Sequence, residues 1–292
     1  MVVNLELLAE LVAFQRYGTL SATAEHLMMT QPTVTRGMKR LEQSLGVTLF
    51  DRQVSNRIKL NATGLLAAKE AEKLLKAQSD FTDKILNYDR LRNEIAVASV
   101  APGPTGFLEQ IKNQIDAKLA ITHQTINPDK VLDELRNLKE KLIFTNQEIV
   151  ADDIESMYLG IEYLGVGIDK FNPLSQRKRI SFRDLEGLSF LVVQDIGPWR
   201  QVVEDSIPNA TFLYQENLSA MSKISQYSSF PFFFSNLSQQ MPATVNRFNN
   251  SNRNAVQITD PRNQMVLYGT YLKSERQNVQ PILKEIVKRW PK

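Results

Sequence analysis

Cysteine is missing altogether from the 292-residue chain, which excludes disulfides, thiolate metal sites and cysteine nucleophiles. Histidine is nearly missing too. His26 and His123 lie far apart, and neither has a second histidine at ligand spacing, so no metal site and no cofactor is expected. There is no run of about 18 apolar residues, so no membrane span is expected. The amino-terminal residues include acidic side chains and lack a basic-then-apolar signal pattern, which leaves the cytoplasm as the default compartment. The chain has no Gly-x-Ser-x-Gly, no Walker-type phosphate loop and no dinucleotide Gly-x-Gly-x-x-Gly, and Pro102-Gly103-Pro104 does not match a phosphate loop. Carboxylates are scattered and no histidine neighbours a plausible nucleophile, so the chain does not read as an enzyme.

The length favours two or more domains. Hydrophobic content of 42% and charged content of 23% fit an ordinary soluble globular protein. The net charge of +3 is too small to diagnose a nucleic-acid partner by itself. Its distribution says more. Residues 27–60 carry six basic side chains (Arg36, Lys39, Arg40, Arg52, Arg57, Lys59) against two acidic ones (Glu42, Asp51).

That excess falls on a recognisable local pattern. Leu5, Leu8, Leu11, Val12 and Phe14 mark an opening helix that ends at Tyr17-Gly18. Thr19 or Ser21 then caps a second helix, with Ala24, Leu27 and Met28 at helical spacing. Thr30 is placed to cap a third helix through a side-chain bond to a first-turn N–H, and Pro32 falls in that first turn, where its missing N–H costs nothing. Thr33, Thr35, Arg36, Lys39 and Arg40 lie on one face of this helix, and Val34, Met38 and Leu41 on the other. It runs to about Leu45, and Gly46 stops it. Two helices around a tight turn, the second hydroxyl-rich and basic on one side, predict a helix-turn-helix with a recognition helix. The candidate groove contacts are Thr30, Gln31, Thr33, Thr35 and Arg36, with Pro32 shaping the approach; Lys39, Arg40, Arg52 and Arg57 are candidates for phosphates. Gly37 is unusual inside such a helix, costing about 1 kcal/mol of helix propensity relative to alanine. It either allows close approach to DNA or is simply tolerated.

Val47, Leu49 and Phe50, then Ile58 and Leu60, predict two short strands around a polar basic tip. The pair is either a wing along the DNA or a solvent-exposed hairpin. A long helix follows over roughly 62–89, with Ala67, Ala71, Leu74, Gln78, Phe81, Ile85 and Tyr88 as a seam of heptad character. The seam serves either dimerisation or packing within one chain. Beyond Asn93 strands alternate with helices, predicting α/β architecture. Strands are expected at 94–100, 121–126, 142–144, within 157–168, and at 189–194, 210–215, 230–234 and 266–272. Helices are expected at 106–119, 129–139, 182–186, 199–206, 219–228 and 279–290.

The amino-terminal residues resemble the winged helix-turn-helix of LysR-type transcriptional regulators over positions 7–63. Carrying the resemblance are Gly18-Thr19-Leu20-Ser21, Ala24-Glu25-His26-Leu27, Thr30 to Arg36, Lys39-Arg40-Leu41-Glu42, Leu45-Gly46-Val47, Leu49-Phe50-Asp51-Arg52 and Leu60 to Gly64. Thr30, Thr33 and Thr35 stand where that family often has serine, alanine and serine. The resemblance implies a DNA-binding domain over 1–61, a linker helix over 62–92 and, over 93–292, a periplasmic-binding-protein-like effector domain. The latter would have two α/β lobes, at about 93–164 plus 267–292 and at 165–266. It implies a sequence-specific regulator of transcription that binds double-stranded DNA as a homodimer or homotetramer, works with RNA polymerase and answers a small-molecule effector. Over the second half it rests on element order and on patterns such as Phe182 to Gly187. One departure there is Lys141 to Asn146, which replaces the aspartate-containing strand usual in the family.

A cleft between two lobes is where an effector would bind. Three segments are placed to line it: the strand-to-helix turn with Ser99, Ala101, Pro102 and Thr105, the strand end with Thr145 and Asn146, and the turn from Gln194 to Trp199. The second reading, from another class, is a small-molecule-binding module whose amino-terminal domain serves only assembly; the basic helix and wing argue against it.

Overall fold

The computed structural model describes residues 3–51, 58–239, 241–249 and 252–291. The chain divides into two compact units, Met1–Leu86 and Asn87–Lys292.

Three helices build the first unit: α1 (Leu5–Tyr17), α2 (Leu20–His26) and α3 (Gln31–Leu45). Their ends follow from side-chain chemistry. Asn4 Oδ1 accepts from the Glu6 N–H at 2.7 Å and Thr19 Oγ1 from the Ala22 N–H at 3.1 Å, each satisfying a first-turn donor. Gly18 and Gly46 end α1 and α3 in the left-handed region, at φ 74° and 70°. Strands β1 (Phe50–Asp51) and β2 (Lys59–Leu60) then pair antiparallel. The residues between them that would form the wing tip lie outside the described residues. Leu8, Leu11, Phe14, Ala24, Val34, Met38, Leu41, Leu49 and Phe50 form the core, closed by Ala68 and Ala71 of α4 (Ala62–Arg90). The expected seam on α4 is therefore divided. Ala71 is packed into this core, whereas Leu74, Phe81, Ile85 and Tyr88 are exposed.

The second unit holds two sheets. One contains β3 (Ile95–Ser99), β4 (Leu119–Ile121), β5 (Leu142–Thr145) and β6 (Ile154–Glu162); the other contains β7 (Leu164–Asp169), β8 (Arg179–Ile180), β9 (Ser189–Val193), β10 (Thr211–Gln215), β11 (Phe232–Ser235) and β12 (Arg253–Ile258). The last strand, β13 (Met265–Leu272), returns to the first sheet, giving orders β4-β3-β5-β13-β6 and β10-β9-β11-β7-β12-β8. The chain thus crosses between sheets at Tyr163 and again between Ile258 and Met265. Two asparagines tie the crossings down. Asn263 accepts from the Leu164 N–H and donates to the Leu164 and Ile258 carbonyls, while Asn236 accepts from the Tyr163 N–H and donates to the Ile161 carbonyl. We call the halves the first and second lobes.

Helices α5 (Pro102–Ile111) and α6 (Val131–Arg136) accompany the first sheet; α7 (Trp199–Ser206), α8 (Leu218–Tyr227) and α9 (Pro242–Asn249) accompany the second; α10 (Arg276–Arg289) closes the chain. Several expected boundaries are corrected. The helix expected from Gly106 starts at Pro102, because proline is pre-shaped for a first turn and Gly103 lets the helix pack closely. The strand expected at 121–126 is β4, at Leu119–Ile121, paired in parallel with β3. Residues 182–186 hold only a 3₁₀ turn, Arg183–Leu185. Strands β8 and β12 and helix α9 are additional to the expectation. Among the described residues no helix is long and apolar enough to cross a membrane.

Candidate nucleic-acid interface and interlobe cavity

Helix α3 has two unlike faces. Val34, Gly37, Met38 and Leu41 are buried. Thr30, Gln31, Pro32, Arg36, Lys39 and Arg40 are exposed, and Thr33 and Thr35 half-buried. All eight candidates on this helix or at its cap therefore lie on its outer side. Arg52 and Arg57 lie outside the described residues. Thr30 is the N-cap residue in the extended conformation, but its side chain caps no N–H: its hydroxyl pairs with that of Thr33 at 2.8 Å. The expected side-chain cap is thus corrected to a hydroxyl pair on the outer face. Thr35 donates to the Gln31 carbonyl at 2.9 Å, and Gln31 Oε1 accepts from the Ser21 hydroxyl at 3.1 Å. The second bond ties the start of α3 to α2. From the far end of α3, Glu42 Oε1 accepts the Leu49 N–H at 2.8 Å and the Phe50 N–H at 3.3 Å, fixing the entry to β1.

The structure resolves the question of Gly37 in favour of neither alternative. Its α-carbon faces the interior, where a Cβ would stand 1.9 Å from Glu10 Oε2. The glycine admits a carboxyl group from α1 rather than DNA. Sequence reasoning did not find Glu10, which occupies a position on the apolar face of its helix.

In the second unit a cavity of about 530 Å³ opens between the lobes, lined by Val100, Thr125 to Pro128, Asn146, Gln147, Gly197 and Pro198. Its wall combines amides and a hydroxyl with apolar surface and holds no charged side chain. Two contacts join the lobes at its rim. The Thr125 N–H donates to Asp195 Oδ2 at 2.9 Å, and the Thr125 hydroxyl donates to Oδ1 of the same carboxylate. A Cβ at Gly197, which sits at φ 55°, would stand 2.0 Å from the Val100 carbonyl oxygen, so only glycine fits that approach.

Of the eight residues expected to meet an effector, Asn146 lines this cavity. The others are differently placed. Ser99 is buried and its hydroxyl accepts from the Ala101 N–H at 3.1 Å; Ala101 is buried with it. Pro102 and Thr105 belong to the first turn of α5, where the Thr105 hydroxyl donates to the Pro102 carbonyl. Thr145 is buried and donates to the Gln147 carbonyl at 2.8 Å. Gln194 is exposed just beyond β9. Trp199 is buried and donates its indole N–H to Glu162 Oε2 at 3.1 Å. Thr125, Asn127 and Gln147 are cavity residues that the sequence pattern did not single out, because they fall in a segment expected to be strand or at a strand end.

Residues 5–65 match the family described as bacterial regulatory helix-turn-helix protein, lysR family. The HTH-type transcriptional activator CmpR of Synechocystis sp. is 24% identical over 197 residues, 66% of this chain and 64% of that protein. The HTH-type transcriptional regulator BsdA of Bacillus subtilis is 27% identical over 47% of this chain and 48% of its own length. The chain thus matches less than two thirds of the length of either relative. Among solved structures, Vibrio fischeri DarR in complex with DNA is 18% identical, with a TM-score of 0.53 over 98% of this chain and 100% of that one. This likeness extends the shared fold over both units. Residues 5–65 thus match the lysR-family helix-turn-helix, and the two-lobed α/β architecture that follows has the fold seen in the DarR structure.

Proposed function

We propose that the chain is a sequence-specific DNA-binding regulator of transcription, working in the cytoplasm and answering a small-molecule effector held between the lobes. The observation that carries this reading is the outer face of α3, where hydroxyls, an amide and three cations stand exposed over an apolar seat. Thr30, Gln31, Thr33, Thr35 and Arg36 read the groove, Pro32 shapes the approach, and Lys39 and Arg40 hold phosphates, with Arg52 and Arg57 in the same role. Two subunits pair through the exposed seam of α4 and present two reading helices to two half-sites. The effector occupies the interlobe cavity beside Asn146, and its binding changes the packing of the lobes and so the spacing of the DNA-reading heads. RNA polymerase is the partner that an activator of this kind would contact.

The test is binding of the purified protein to DNA from upstream of its own gene and to scrambled DNA across a salt series, with Arg36→Ala alongside. Selective binding by the wild type is expected, and the variant should lose about 1–3 kcal/mol on the specific site. No binding to either DNA, even at low salt, would overturn the reading and favour an assembly role for the first unit.

A further inference from the structure

Glu10 lies on α1 and is 6% exposed, an unusual place for a carboxyl group. Its carboxyl rests on the backbone of α3 at Gly37: an ideal Cβ there would stand 1.9 Å from Oε2, 2.7 Å from Cδ and 2.9 Å from Oε1. Any larger residue at position 37 would claim the space that this carboxyl fills. The group is not fully satisfied either, since Oε2 is buried without a hydrogen-bond partner. An ionised oxygen in that position is costly, and a protonated one much less so. Accordingly, burial raises the Glu10 pKa above the ordinary carboxylate value; Glu6, one turn earlier on α1, adds to the effect and Arg40 on α3 opposes it. Helices α2 and α4 bring no charged side chain to the same core: Ala24, Ala68 and Ala71 are buried in it, with Leu20, Ala67 and Leu75 packed against it. Arg40 is exposed on α3, one turn beyond Gly37, and is also a candidate phosphate contact.

We propose that Glu10 is a positioning residue for DNA binding: lodged in the notch at Gly37, it seats α3 and sets the charge beneath the helix that meets the DNA. The proposal rests on the DNA-binding reading above. When Glu10 is ionised it places a negative charge beneath the helix that must meet phosphates. When it is protonated, that charge is gone. Affinity therefore falls as pH rises through the pKa of Glu10. The effect acts on the electrostatic part of binding and so appears on specific and scrambled sequences alike.

The experiment measures binding of the full-length protein to the upstream duplex and to a scrambled one between about pH 5 and about pH 8 at fixed ionic strength. Wild type, Glu10→Gln and Gly37→Ala are compared, with circular dichroism melts to establish that each is folded. The readout is the difference between wild type and each variant, since every other titrating group is common to all three. Wild type should lose about three- to tenfold more affinity than Glu10→Gln over this range, the scale expected for one partly buried charge near another. Gly37→Ala, whose new methyl group evicts the carboxyl into solvent, should lose the same pH dependence by a different route. If wild type binds DNA but either folded variant keeps its full pH profile, the proposal falls and the DNA-binding reading stands. If wild type binds no DNA selectively at any pH, the reading falls and takes the proposal with it.

Discussion

The indole N–H of Trp199 donates to the Glu162 carboxyl at 3.1 Å, and both side chains are buried. Glu162 ends β6 in the first lobe and Trp199 opens α7 in the second, so this bond joins the lobes beside the first crossing. Glu162 also presses on α5, where a Cβ at Gly103 would stand 2.0 Å from its Oε1. Burial raises the pKa of this carboxyl, with hydrogen bonds from Ser235 and Trp199 opposing. Glu162→Gln preserves shape and an acceptor, so its melting temperature should stay near wild type. Glu162→Ala leaves a cavity and an unpaired indole N–H, and should cost about 2–4 kcal/mol in chemical denaturation. Equal stability of the two variants would show that the bond contributes nothing.

Glu140 makes the stability of the second unit depend on pH. Its Oε1 accepts from the Thr122 hydroxyl at 3.0 Å, while its Oε2 is buried without a partner. Burial pushes its pKa up from 4.5 to about 7, with the Thr122 bond pulling back. Because the folded value lies above the unfolded one, the associated stability is present below pH 4.5 and is lost as pH rises through about 7. The expected loss is about 2 kcal/mol once partial solvent screening is allowed for. Glu140→Gln should remove this slope in melting curves taken between about pH 5 and about pH 8; an unchanged slope would contradict the assignment.

The Glu10–Gly37 contact should appear as a coupling energy in stability as well as in DNA binding. Replacing Gly37 by alanine gains about 1 kcal/mol of helix propensity but forces the carboxyl out of its notch. In the Glu10→Ala background the notch is empty, and Gly37→Ala should then stabilise the first unit by about 1 kcal/mol. A double-mutant cycle by urea denaturation should therefore show non-additivity of about 1–2 kcal/mol, and strict additivity would show that the two residues do not interact.

On α4, Phe81 is 67% exposed and Ile85 56%, one helical turn apart. Charged replacements there disturb little buried surface within the chain. Phe81→Glu combined with Ile85→Glu should leave the monomer's fold intact by circular dichroism while lowering the mass seen by light scattering. Retention of the wild-type mass would place subunit pairing on another surface.

The readable parts of this chain are those whose causes are local. Gly18, Thr19 and Gly46 mark their helix ends because the left-handed turn and the N-cap need those side chains wherever they occur. Helix α7 was legible from its own spacing. What escaped depends on distant partners. The buried guanidinium of Arg253 donates to the Ser225, Ser228 and Phe230 carbonyls, so a charged residue opens β12, where alternation alone would place a loop. The roles of Ser99, Thr105 and Thr145 were equally hidden. Their hydroxyls suit a ligand in sequence terms but bond to neighbouring backbone in the fold. Trp199 suggested an aromatic cavity wall until Glu162, far away along the chain, supplied its partner. The candidates on α3 were easier to place, since the apolar face of one helix fixes the direction of the other.

Strand β13 lies in the middle of its sheet, between β5 and β6, although it follows every other strand in the chain. As the polypeptide leaves the ribosome, the second lobe has all its strands once Ile258 has emerged. The first lobe must wait, with β5 and β6 each presenting an open edge, until Leu272 is free to slot between them. Translation that stops short of β13 therefore yields a product with one complete sheet and one split sheet, whose unpaired edges invite association between nascent chains.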